Sequence, residues 1–395
     1  MIITQIIRIF TIESGSAPMT YDSHDPWLLT PGPLTTSLTV KEAMLHDWGS
    51  RDVAFIEANR TVRERLLALA GAERDHVCVP LQGSGTFAVE ATIGTLIPAD
   101  GKALILINGA YGKRMAKICD YYRRDYVTLE TPEDVPNDVA ALERTLADDP
   151  DITHVLCVYC ETTSGLLNPL QAIAVATERA GRKLIIDAMS AFGALPLEAG
   201  ETPFSAVVAS SNKCLEGVPG LGFTIVRRDD LAACEGNSPS LALDLHAQWK
   251  AMEGNGQWRF TPPTHVIFAL ARAIEEHAAE GGVAGCGARY RRNCEILTTG
   301  MREMGFTTLL PDALQAPIIV TFHRPPDPRF DFQDFYDRLN ARGFVIYPGK
   351  LTVAESFRIG CIGRIGETEM RAALDAVRAT IAEMGVTKLA PRAAA

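Results

Sequence analysis

No stretch of this chain reads as a membrane span; its apolar runs stop short of the roughly 20 residues that crossing a bilayer demands. Positive charge is in deficit. Lys and Arg number 38 against 48 Asp and Glu, a net charge of −10 with a pI near 5.4. Such a balance disfavours nucleic acid and anionic membranes as partners, so an anionic substrate would have to be met by local cations. The eight histidines hold no H-x-x-x-H or H-x-H pair, which leaves a metal site without support. There is no Walker A sequence, no G-x-G-x-x-G, no internal repeat and no low-complexity tract. Nine cysteines are scattered, an odd number that argues against a disulfide framework and for a reducing, cytoplasmic setting. The one C-x-x-C, Cys157 and Cys160, lies in a strand-like run where residues three apart face opposite ways.

The N-terminus, Met1 to Phe10, is apolar but lacks the basic start and cleavage site of a signal peptide. Thr11 to Asp25 is polar and irregular. Residues 1–27 are expected to be a flexible extension, and Met19 offers a second start.

What the chain does have is apolar content, 47% over 395 residues, enough for a core and for more than one domain. From Arg51 to Val226, apolar runs alternate with amphipathic stretches. Strands are expected at His76–Leu81, Ala103–Ile107, Tyr126–Leu129, Val155–Tyr159, Leu184–Asp187, Ala206–Ala209 and Phe223–Val226. Between them, helices are expected at Thr86–Leu96, Lys113–Tyr122, Val135–Leu146 and Leu170–Ala180. A first helix, with Phe55, Val62, Leu66 and Leu69 on one face, would be capped by Asp52 and stopped by Gly71. Continuous apolar strands separated by helices define an α/β unit with a mostly parallel sheet covered on both faces. Helices at Thr264–Glu280 and Tyr290–Met304 lead into a second pattern. There, runs at Ile318–Phe322, Phe344–Tyr347 and Phe357–Ile359 mix with helices at Phe332–Arg342 and Glu367–Met384. The expected division is a large domain over 28–265, with 28–50 packing near a small domain, then a small C-terminal α+β domain over 266–385 and a tail over 386–395.

Several groups fall just after expected strands, where open α/β sheets bind ligands. Gln82-Gly83-Ser84-Gly85-Thr86 joins a strand to a helix and offers free N–H groups and two hydroxyls to a phosphate; a turn capped by Thr86 is an equal reading. Asp187 ends an apolar strand and suits either a cofactor's ring nitrogen or a structural cap. Lys213 sits between the small, polar Ser210-Ser211-Asn212 and the turn Gly217-Val218-Pro219-Gly220. Amine, carboxylate and phosphate cradle are together the parts needed to hold pyridoxal phosphate (PLP). Tyr111, after the strand ending at Ile107, could stack on the cofactor or be an ordinary loop tyrosine. Glu161-Thr162-Thr163-Ser164-Gly165 follows the next strand and could reach the cofactor's hydroxyl side. Arg358 is a fork for a substrate carboxylate or half of an interdomain ion pair.

Taken in order, these motifs resemble the class V aminotransferases of PLP fold type I, from about Leu28 to Met384. The carriers include Leu29-Thr30-Pro31-Gly32-Pro33, Leu81-Gln82-Gly83-Ser84-Gly85, Asn108-Gly109-Ala110-Tyr111-Gly112 and Ile186-Asp187-Ala188-Met189-Ser190. Ser211-Asn212-Lys213-Cys214, Trp258-Arg259-Phe260-Thr261, Gly343 to Lys350 and Phe357-Arg358-Ile359-Gly360 complete them. The resemblance implies a seven-stranded, mostly parallel sheet and a smaller α+β domain. It implies that Lys213 bonds the cofactor's aldehyde and that Asp187 pairs the pyridine nitrogen. Ser84, Gly85 and Thr86 would hold the phosphate with Asn212 nearby, and Tyr111 and Thr163 would touch the cofactor. Thr261 would reach the neighbouring subunit's phosphate, which makes the enzyme a homodimer with shared sites, and Arg358 would bind the carboxylate of pyruvate or alanine. The implied reaction passes the amino group of 2-aminoethylphosphonate to pyruvate, giving phosphonoacetaldehyde and L-alanine. Rival readings are alanine–glyoxylate or serine–pyruvate exchange, or a cysteine desulfurase-like lyase, for which Cys361 is the nearest cysteine to Arg358. The residues that would take the phosphonate are not legible; Arg51 and Lys350 are bare candidates.

Overall fold

Seven apolar runs pair into one sheet because each is apolar on both faces and needs cover on both sides. The computed structural model describes residues 25–351 and 354–390. The expectations for the first 24 residues, Met19 among them, and for the last five lie outside that range.

In chain order the elements begin with β1 (Trp27–Leu28), α1 (Leu38–Glu42), α2 (Val53–Leu69), β2 (His76–Gln82), α3 (Gly85–Leu96), β3 (Lys102–Ile107) and α4 (Ala110–Tyr122). Next come β4 (Asp125–Glu130), α5 (Val139–Asp148), β5 (Ile152–Val158), β6 (Cys160–Glu161), β7 (Leu166–Leu167), α6 (Leu170–Arg179), β8 (Lys183–Asp187), β9 (Ala206–Ser210) and β10 (Leu221–Arg227). Then follow α7 (Arg228–Ala232), α8 (Leu245–Asn255), α9 (Thr264–Ala279) and α10 (Gly282–Met304). The chain closes with β11 (Ile319–His323), α11 (Phe332–Ala341), β12 (Phe344–Val345), β13 (Tyr347–Pro348), β14 (Ser356–Gly360) and α12 (Glu367–Glu383).

The large sheet has the order β2-β10-β9-β8-β5-β3-β4. Only β10 runs antiparallel to its neighbours. Alternate residues of each strand enter opposite cores. Leu104 and Leu106 join Phe55, Leu66, Ile173 and Leu270 on the face covered by α2, α5, α6 and α9. Ala103, Ile105 and Ile107 join Ile93, Met115, Leu231 and Trp249 on the face covered by α3, α4, α7 and α8. Each fully buried Leu or Ile here contributes about 1.5–3 kcal/mol of transfer free energy. A third core lies over the sheet β11-β14-β13, where Phe322 stacks on Phe357 with centroids 5.6 Å apart.

Some local expectations need correction. Asp52 stands at the N-cap of α2, but its carboxylate accepts from the Gly49 N–H at 2.8 Å and leaves the helix amides alone. Gly71 follows the helix in the left-handed region, φ +55°, and the Ala72 N–H closes the end on the Leu67 carbonyl. The helix expected from Val135 starts only at Val139, because Asp138 caps it through the Ala141 N–H. The helix expected from Tyr290 begins at Gly282; its glycine-rich first turns hid the periodicity. The run Phe344–Tyr347 splits: β12 pairs with β1, and β13 pairs with β14. Helix α8 gave no signal that was read from the sequence.

The chain's beginning is fastened to the C-terminal part. β1 runs parallel to β12, the Gly360 N–H bonds the Leu29 carbonyl, and the Arg364 N–H bonds the Thr35 carbonyl. Trp27 is thus already inside a strand. Past α12, the Thr387 and Lys388 N–H groups bond the Asp327 carboxylate.

Candidate active site

Parallel strands carry their ends to one edge of the sheet, and five connections meet there. β2 delivers Ser84, Gly85 and Thr86; β3 delivers Tyr111 and Arg114; β8 delivers Asp187 and Met189; β9 delivers Ser210, Asn212 and Lys213. These residues, with Val89, line a single cleft. The fifth connection, after β5, stands behind it with Glu161, Thr162 and Thr163, all fully buried.

Ser84 is at the N-cap of α3, yet its hydroxyl makes no capping bond among the described residues, and it lines the cleft at the start of the helix. A Cβ at Gly85 would press on the end of the Met189 side chain, which would have to turn aside. Thr86 accepts a hydrogen bond from Arg114 Nη1 at 3.1 Å. The Arg114 guanidinium lies 4.9 Å from the centroid of the Tyr111 ring. A backbone amide start, two hydroxyls and a guanidinium in one corner form a cradle for a phosphate.

Asp187 pairs with Val158 on one side and Val208 on the other, which fixes it in the middle of the sheet edge. It is buried, and burial pushes its carboxyl up to about 6, opposed by the Met189 N–H, Arg114 and Lys213. Oδ1 accepts from the Met189 N–H at 2.9 Å; Oδ2 makes no hydrogen bond among the described residues.

Lys213 donates its ammonium to the Pro31 carbonyl. The segment that follows β1 therefore packs against the Lys213 side chain. Gly32, at φ +118°, lies so close that a Cβ would sit 2.6 Å from Lys213 Cδ. Burial lowers the Lys213 amine to about 8, with Arg358 and Lys350 adding to the fall. In the protein stripped of any cofactor, a small amine-selective reagent is therefore expected to modify Lys213 with a half-maximal rate near pH 8, below the ordinary lysine value of 10.5. Peptide mapping across a pH series checks this; a Lys213 midpoint level with the exposed lysines would refute the burial argument.

Arg358 stands on β14, fully buried. Nε donates to the Pro348 carbonyl at 3.1 Å and Nη1 to the Thr162 carbonyl at 2.8 Å. Nη2 is buried with no partner among the described residues. Arg358 thus holds the two parts of the chain together through carbonyls and keeps one edge of its fork open. No carboxylate pairs with it among the described residues.

Two expected cofactor residues lie elsewhere. The Thr163 hydroxyl donates to Glu161, which also accepts from the Thr163 and Tyr111 N–H groups, and Thr163 does not line the cleft. Thr261 is on an exposed loop beside the half-exposed Phe260, away from this chain's own cleft. Arg51 is exposed and does not line the cleft, whereas Lys350 lies near enough to feel Arg358 and Arg114. Burial is the first cause of its lowered value. Arg114 was missed in the sequence, although it follows Tyr111 by three positions and so shares its helix face. Cys361 is fully buried and packed in the third core.

A lysine, a buried carboxylate and an anion cradle at the edge of such a sheet mark a cofactor-dependent transfer enzyme, and the chain belongs to the class-V aminotransferase family, whose pattern it matches over residues 40–366. It is 56% identical over 364 residues to the 2-aminoethylphosphonate–pyruvate transaminase of Pseudomonas putida, covering 92% of this chain and 99% of that one. The protein of the same name from Pseudomonas aeruginosa is 55% identical over 364 residues, covering 92% and 98%. Among solved structures, the ureidoglycine–glyoxylate aminotransferase of Bacillus subtilis superposes with a TM-score of 0.84 at 23% identity, covering 92% of this chain and 94% of that one. Pyridoxamine–pyruvate aminotransferase from Mesorhizobium loti gives 0.84 at 25% identity, with the same coverage.

Proposed function

We propose that this enzyme uses PLP to move the amino group of 2-aminoethylphosphonate to pyruvate, releasing phosphonoacetaldehyde and L-alanine. The observation that carries the reading is the convergence of Lys213, Asp187 and Ser84 to Thr86 in one cleft. The cleft fits the cofactor part by part. Ser84 has an uncommitted hydroxyl at a helix start, and Asp187 Oδ2 has no hydrogen-bond partner among the described residues. Ser84, Gly85, Thr86 and Arg114 would hold the phosphate, Tyr111 would face the ring, and Asn212 would stand beside it.

When bound, PLP supplies an aldehyde that captures amines and a ring that takes up an electron pair. Asp187 keeps the ring nitrogen protonated, which a buried carboxylate beside a cation favours strongly. Lys213, with its amine lowered to about 8, has a neutral fraction near neutral pH that can bond the aldehyde carbon. With the substrate amine held in the cleft, Lys213 would be placed to take the proton from the amine-bearing carbon and to give it up again. In the second half-reaction Lys213 moves the proton back. Arg358 Nη2 anchors the anionic end of the substrate. Lys350 and Arg114 add positive field beside Arg358, which suits a phosphonate dianion better than a second carboxylate.

The sites are shared in a homodimer, with Thr261 serving the partner's phosphate. The exposed Phe87, Leu241 and Phe260 support a second copy on this side. The large domain over 28–265 carries the cofactor, and the part over 266–385 carries Arg358. We place the enzyme in the cytoplasm, a reading supported by nine cysteines that are all free and buried.

The test compares alanine formation from 2-aminoethylphosphonate and pyruvate with glycine formation from alanine and glyoxylate. Turnover is expected to be faster with the phosphonate pair. Faster exchange of alanine with glyoxylate would remove the substrate assignment and leave the aminotransferase intact.

A further inference from the structure

Glu216 lies three residues beyond Lys213 and adopts φ +57°; only Arg123 shares a positive φ among the described non-glycine residues. The left-handed region is unfavourable for a side chain with a Cβ, so something must hold Glu216 there. Its Oε1 accepts from the Tyr290 hydroxyl at 2.6 Å and from Arg289 Nη2 at 2.7 Å. Arg289 also donates to both oxygens of Glu280 and to the carbonyls of Gly363 and Ile365. The Tyr290 oxygen accepts from the Gly363 N–H at 3.2 Å. One carboxylate thus joins the Lys213 turn to helix α10 and, through it, to the loop after β14.

The turn is tight on the Lys213 side as well. The Glu216 N–H bonds the Lys213 carbonyl at 2.8 Å, and the Gly217 N–H bonds the Ser211 carbonyl at 2.8 Å. Displacing Glu216 moves the backbone that sets where the Lys213 amine points. A largely buried, hydrogen-bonded ion pair adds little net stability but selects one geometry strongly. None of these groups lines the cleft.

We propose that Glu216 is a positioning residue for Lys213, its carboxylate locking the turn that aims the amine and tying that turn to the small domain. The proposal rests on Lys213 being the reacting amine.

Glu216→Gly is the informative variant, because glycine adopts the left-handed conformation freely, so the side chain with its carboxylate is lost while the backbone conformation stays favourable. Measured as holoenzyme, Glu216→Gly is expected to lower kcat by about 10- to 100-fold. The KM for pyruvate should change by less than about threefold, and the midpoint of the cofactor's visible absorbance against pH should move by about half a unit or more. Glu216→Gln keeps an acceptor oxygen for Tyr290 and Arg289 and should restore most of kcat. Tyr290→Phe, which removes one of the two bonds, should fall between them. If Glu216→Gly keeps the wild-type kcat and absorbance titration and only its Tm changes, Glu216 is structural and the proposal is overturned. Glu216→Gln matching Glu216→Gly would overturn the acceptor role. Should Glu216→Gly not fold, an unchanged titration and kcat in Tyr290→Phe would overturn it equally. Failure of the underlying reading shows separately: borohydride trapping in the wild type would then put the cofactor on a residue other than Lys213.

Discussion

Lys213→Ala is expected to abolish transamination, with turnover down by at least about 10³-fold. Two losses combine. The variant cannot bond the cofactor's aldehyde, so reductive trapping leaves no covalent label. It also lacks the base that carries the proton, and among the described residues no other amine lines the cleft; Arg114 is there, but a guanidinium cannot accept a proton at working pH. The substrate amine can still condense with the bound aldehyde, so an absorbance change on mixing remains visible by stopped flow. An added small amine should recover part of the rate by entering the vacated space. Wild-type turnover in Lys213→Ala would end the mechanism argued here. A stability consequence follows from the lowered amine. Between pH 8 and 10.5 the unfolded chain holds a proton that the folded chain has released. Folded wild-type apoprotein therefore gains stability relative to Lys213→Ala as pH rises through that window, which denaturant titrations at two pH values can measure.

Asp187→Asn is expected to cost about 10²- to 10³-fold in kcat and to weaken cofactor binding by about tenfold or more. The substitution is nearly isosteric, and the amide oxygen can still accept from the Met189 N–H. What disappears is the charge that holds a proton on the ring nitrogen. Burial raises this carboxyl to about 6. The apoprotein's affinity for cofactor should therefore decline as pH falls through about 6 in the wild type and stay flatter in Asp187→Asn. Equilibrium dialysis against pH measures both. Equal affinity and kcat in the two proteins would show that Asp187 is a structural cap.

The large sheet was legible because each of its strands is a short apolar run between helical patterns. The groups at its edge were legible because they follow those runs directly, as Asp187 follows Leu184 to Ile186. Arg114 was not, since nothing in a Lys-Arg pair on a helix reveals which side chain turns inward. Helix α8 escaped because its buried face, Leu245, His246, Gln248, Trp249 and Met252, mixes polar and aromatic side chains with aliphatic ones. Its apolar period is correspondingly faint. Glu216 escaped for a different reason: a positive φ at a non-glycine residue leaves no trace in composition. The open edge of Arg358 needed coordinates too, because the carbonyls of Pro348 on the neighbouring strand and of distant Thr162 occupy the rest of its fork.

The strand that leads to Pro31 leaves the ribosome long before its partner at Phe344 and Val345. Until then the Lys213 amine lacks its carbonyl acceptor and part of its shelter from water. Such a distant pairing makes closure of the chain a late step in folding. A nascent chain stalled before Phe344 would therefore carry a complete sheet, but its lysine would remain an ordinary, solvated one.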